Sequence, residues 1–126
     1  MRFTSTIFVF LVFVQYIGCQ NHLCYDKKNV STDSELNIAF TGKRGIKDKD
    51  DIVYYVENNL KILTAYENDR IKWRINILKA CGNPDVGAYE IRFIRLKGNK
   101  IFITFGKHSF ASVNIDNGKV ECLGSD

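Results

Sequence analysis

The stretch Asp50-Asp51-Ile52-Val53-Tyr54-Tyr55-Val56-Glu57-Asn58-Asn59-Leu60-Lys61-Ile62-Leu63-Thr64-Ala65-Tyr66-Glu67 decides the fold, and it fits two local structures. On a helix, Ile52, Val56, Leu60 and Leu63 fall at spacings of 4, 4 and 3 along one face, with Asp50 or Asp51 as the N-cap. In strands, Ile52–Val56 and Leu60–Tyr66 are two apolar runs joined by an Asn58-Asn59 turn. The adjacent Tyr54, Tyr55 and Val56 favour the strands, because aromatic and β-branched side chains suit a pleated surface. Strands here make the chain mainly β, a small antiparallel sandwich or jelly-roll-like domain of about 7–8 short strands. A helix over 51–66 would instead pack on an antiparallel meander of about 4–5 strands, an α+β fold.

The sequence to the right of this stretch is β by pattern. Ile71, Trp73, Ile75 and Ile77 alternate with Lys72, Arg74 and Asn76, so Asp69–Cys81 is expected to be a strand with one buried face. Asn83-Pro84-Asp85 and Gly87 break it. Tyr89, Ile91 and Phe93 then alternate with Glu90 and Arg92. The apolar phase changes at Ile94 and Leu96, which predicts a bulge. Gly98-Asn99, flanked by Lys97 and Lys100, is a type II′ hairpin signal, and Ile101, Ile103 and Phe105 form the apolar face of the returning strand. Asp116-Asn117-Gly118 marks a second hairpin, so a meander of about five strands is expected after residue 68.

To the left, Arg2 precedes the unbroken apolar run Ile7–Val14. A basic start and a run of that length fit a secretory signal peptide over 1–19, and the run falls short of the ~20 apolar residues a spanning helix needs. No membrane span is therefore expected. Residues 20–35 read as a polar, irregular arm, and 36–126 as a single β-rich domain. Loss of Arg2 lowers the formal net charge from +4 by one, a mild excess that does not call for nucleic acid.

Secretion makes disulfides the expected fate of cysteine. Cys81 and Cys122 each close a β segment and are candidate partners. Cys24 is then left to link two chains, or it replaces one of them in a rival bridge. If Cys19 is retained, it can pair with Cys24 in a monomer; if it is removed, Cys24 is left as a free thiol in a monomer or links two chains in a dimer. Asn29-Val30-Ser31 makes Asn29 a candidate glycosylation site.

Catalytic and metal signals are weak. His22 and His108 have no partner at metal-ligand spacing, and no serine lies in a nucleophile-elbow context. Asp48, Asp50 and Asp51 lack the glycine and the terminal glutamate of a calcium loop. No cofactor or metal is expected, and the chain does not read as an enzyme. Gly42-Lys43-Arg44 fits the excision site of an amidated peptide, but also a turn between strands. The strongest surface signal is a basic hairpin: Arg92, Arg95, Lys97, Lys100, Lys107 and His108, with Phe102 on the face opposite Ile101 and Ile103. Such a surface can hold an anionic glycan or an acidic protein patch, or it can be a charged edge that resists aggregation. The expectation is a small secreted binding protein, of the effector or venom- and saliva-factor kind, whose partner is an extracellular protein or a glycan. The alternatives are an inhibitor or toxin-like factor, a secreted hydrolase, and a peptide precursor.

Overall fold

The structure, a computed structural model, describes residues 25–126. The expected signal segment over 1–19, with Cys19, and His22 and Cys24 lie outside the described residues.

Ten strands and two short helices are found among the described residues. They are β1 (Val30–Ser31), β2 (Glu35–Asn37), α1 (Ile38–Thr41), β3 (Gly45–Lys47), β4 (Val53–Val56), β5 (Ile62–Glu67), β6 (Arg70–Asn76), α2 (Ile77–Cys81), β7 (Ile91–Lys97), β8 (Lys100–Phe105), β9 (Ser109–Asn114) and β10 (Val120–Ser125). They form two five-stranded sheets, ordered β1-β3-β4-β5-β6 and β2-β7-β8-β9-β10. Every pairing is antiparallel except β1 with β3. Ile46, Tyr54, Val56, Leu63, Ala65 and Trp73 from the first sheet meet Ile91, Ile94, Ile101, Ile103, Phe105, Ala111 and Val113 from the second in one core. The protein is a small β-sandwich, with more strands than the seven or eight expected.

The deciding stretch is β4 and β5, not a helix. Val53 pairs with Tyr66 and Val56 with Leu63 across the connecting turn. The stretch lacks alternation because both faces of these strands are covered. Tyr54, Val56, Leu63 and Ala65 face the core, while Val53, Tyr55 and Tyr66 form a second cluster on the outer face under Tyr25 and Val30. A strand buried on both sides reads as a continuous apolar run. The neighbouring aspartates shape the turn into β4. The Asp48 carboxylate accepts from the Asp50 N–H at 2.8 Å and the Ile52 N–H at 3.0 Å, and its other oxygen accepts from the Tyr54 hydroxyl at 3.1 Å.

Four further expectations need correction. The arm read as irregular contributes edge strand β1, with Val30 opposite Gly45. The strand expected over Asp69–Cys81 stops at Asn76, whose side chain accepts from the Lys79 N–H and caps α2, so Cys81 ends a helical turn. Strict alternation in β6 is broken by a register shift opposite Ala65 and Tyr66, which turns Ile71 out of the core to 45% exposure. The five-strand meander is four strands, β7 to β10, because β6 pairs with β5 in the other sheet.

The sheets are joined along both sides. Residues 32–34 carry the chain from β1 to β2. On the opposite side, Cys81 and Cys122 form a disulfide between α2 and β10, with Cα atoms 5.5 Å apart. That pairing excludes the rival bridge from Cys24 to either of them. Beside it, the Trp73 indole N–H donates to the Ile115 carbonyl at 2.7 Å.

Candidate binding face on the second sheet

The phase change read from the sequence is a bulge at Arg92, because Ile91 pairs with Phe105 and Phe93 with Thr104. The extra residue swings Phe93 to the outer face and keeps Ile91 and Ile94 in the core. Regular alternation then places Arg95 and Lys97 outward on β7, Lys100, Phe102 and Thr104 on β8, and Phe110 and Ser112 on β9. Gly98 has φ 61°, as a type II′ turn needs at its first central residue.

The middle of this face is aromatic. Phe93, Phe102, Phe110, Arg95, Thr104 and Leu123 line a shallow depression of about 320 Å³. The Arg95 guanidinium lies 5.5 Å from the centre of the Phe102 ring, its cross-strand partner, where the cation faces the ring's electron-rich surface. Leu123 sits at a second bulge, between Cys122 and Gly124, and is 47% exposed.

The expected basic cluster is divided along the strands. Lys97 and Lys100 flank one hairpin end. Lys107 and His108 occupy the β8–β9 turn at the other, where the Arg92 Nη2 donates to the Lys107 carbonyl at 3.2 Å. The run from Lys100 to Phe105 spans roughly 17 Å, beyond a Debye length at physiological salt. Acids also interrupt the charge: Glu35 pairs across from Arg95, and Glu121 lies 3.9 Å from Lys100. Neither acid is legible as a neighbour in the sequence, because each arrives on a strand distant along the chain. Alternation alone puts the bulge after Phe93 and so misses its outward turn; the phase change at Ile94 is the available signal.

Asn29 is half-buried at the end of a 3-10 turn (Lys27–Asn29), and its carbonyl accepts from the Arg44 N–H at 2.8 Å. Among the described residues no three His, Cys, Asp or Glu side chains are grouped to hold a metal, and no helix is long and apolar enough to cross a membrane. No protein-family model, no curated protein and no solved structure matches the chain.

Proposed function

We propose that the chain is a secreted binding protein that meets an extracellular protein partner through the outer face of the second sheet. The observation that carries this is the half-exposed set Phe93, Phe102 and Phe110 around Arg95, edged by Lys97, Lys100, Glu35 and Glu121. Aromatic residues and arginine at the centre, with lysine and glutamate at the rim, is the composition of interface hot spots. The disulfide supports an oxidising compartment, and so secretion. A sulfated glycan suits the face less well, because its cations are divided between two ends and partly neutralised. A peptide precursor is disfavoured by Arg44: its carbonyl accepts from Val56 N–H at 2.8 Å, its Nε donates to the Val56 carbonyl at 3.1 Å, and its Nη2 donates to the Glu57 carbonyl. A dibasic protease would have to pull this bond out of the sheet.

The test is a screen of the secreted chain against immobilised extracellular ectodomains and heparin, beside Phe102→Ser/Phe110→Ser. Both side chains are on the outer face, so the variant is expected to keep its melting temperature. Binding to an ectodomain that weakens at least tenfold in the variant, as loss of hot-spot aromatics implies, supports the proposal. Equal binding by both chains, or retention by heparin alone, overturns it.

A further inference from the structure

The first sheet carries a second concavity, remote from the face just described. It is a groove of about 510 Å³ between the N-terminal arm and the outer surface of β4 and β5. The size is in the range of small-molecule sites. Half-buried Tyr25 lines it and packs over Tyr66 and Tyr55, with ring centroids 4.7 and 5.3 Å away, so that Tyr66 reaches the groove while only 4% exposed. Asp51 and Asp69 stand at its rim with Lys47 and Lys27.

The two aspartates are not equivalent. Asp51 faces Lys47 at 3.3 Å. Among the described residues no cation lies within ion-pair distance of Asp69. Its carboxylate is close enough to the Tyr25 hydroxyl to help raise that group's pKa, after burial, which is the larger cause. A carboxylate without an ion-pair partner beside the half-exposed Tyr25 ring is suited to an organic ammonium ion: the ring attracts the cation by its quadrupole and the carboxylate supplies the counter-charge.

The backbone at this rim is also unusual. Asp51, Asn68 and Asp69 have φ of 63°, 52° and 62°, so among the described residues three of the four non-glycine residues in the left-handed region border this one groove. Asn68-Asp69 is the two-residue link between β5 and β6. A link with both residues at positive φ takes Asn-Gly most easily, and here Asp69 holds the second place.

We propose that the groove of Tyr25, Tyr66 and Asp69 binds an organic ammonium group, borne either by a small free amine or by a lysine side chain of a peptide.

The test uses the full secreted chain with 15N labelling, titrated with 2-phenylethylamine, with Nα-acetyl-lysine amide, and with 3-phenylpropionate, which keeps the ring and reverses the charge. Amide shifts around Tyr25, Val30, Asn68 and Asp69 are expected with the ammonium compounds and not with phenylpropionate. Tighter binding of phenylethylamine identifies a free amine as the source, and tighter binding of the lysine derivative identifies a side chain. Asp69→Asn is expected to weaken the binding at least tenfold. Asp69→Gly is expected to do the same while keeping or raising the melting temperature, since glycine suits the turn, which separates lost charge from lost fold. Equal or better binding of phenylpropionate, no binding by either amine, or unchanged affinity in both Asp69 variants overturns the proposal.

Discussion

The outer surface of the first sheet is ordered by one carboxylate. Glu57 accepts from the Arg74 Nε at 2.6 Å and Nη2 at 2.9 Å, and from the hydroxyl of fully buried Thr64 at 2.5 Å. The Arg74 hydrogen bonds hold the Glu57 carboxyl below its ordinary value of 4.5, aided by Thr64 and opposed by burial. Below that value the unfolded chain takes up a proton that the folded chain still refuses. The contribution of Glu57 is therefore complete above the unfolded value and is lost as pH falls through the folded one. Urea midpoints measured between about pH 5 and pH 3 should fall more steeply for the natural chain than for Glu57→Gln. Parallel slopes would show that the ionised Glu57 adds nothing.

Among the elements, the β9–β10 connection is tightly constrained. Gly118 has φ 72°, and a Cβ there would lie 2.7 Å from Trp73 Cγ. Gly118→Ala combines an unfavourable backbone with displacement of the indole that reaches Ile115. The expected cost is about 2–4 kcal/mol, from left-handed strain plus overpacking. For a domain of this size that lowers the melting temperature by roughly 10 °C or more. A loss under about 1 kcal/mol would mean that the turn rearranges freely.

The legibility of each element depends on how local its cause is. β8 is readable because Ile101, Ile103 and Phe105 alternate and Gly98 fixes the turn. β4 is ambiguous because Tyr25, far away in sequence, covers its outer face and erases the alternation. β6 misleads in its register because a bulge depends on its partner, β5, as much as on its own residues. The candidate face is half visible. Phe102 and Arg95 come from alternation within a hairpin, whereas the neutralising Glu35 requires the β2–β7 pairing.

At the scale of the molecule, the sheet edges and the covalent links matter most. β1 and β2 are two and three residues long, β6 carries Arg70, Lys72 and Arg74, and β10 is bulged at Leu123. Short, charged or bulged edges resist recruiting another sheet. The Cys81–Cys122 bridge, with a sequence separation of 41, restricts the unfolded chain by about 4 kcal/mol on the chain-entropy estimate. The double variant Cys81→Ser/Cys122→Ser should lose about that much stability in denaturant titration. A loss below about 1 kcal/mol would place the connection of the two sheets in Trp73 and the core alone.

The same bridge governs the outcome of enzymatic nicking. The segment from Gly82 to Ala88 is outside regular structure and largely exposed, and it lies inside the loop that the disulfide closes. A protease that severs it would release no fragment, because the piece ending near Cys81 stays bonded to the piece holding Cys122. A clipped molecule would keep both its aromatic face and its tyrosine groove on one covalent body.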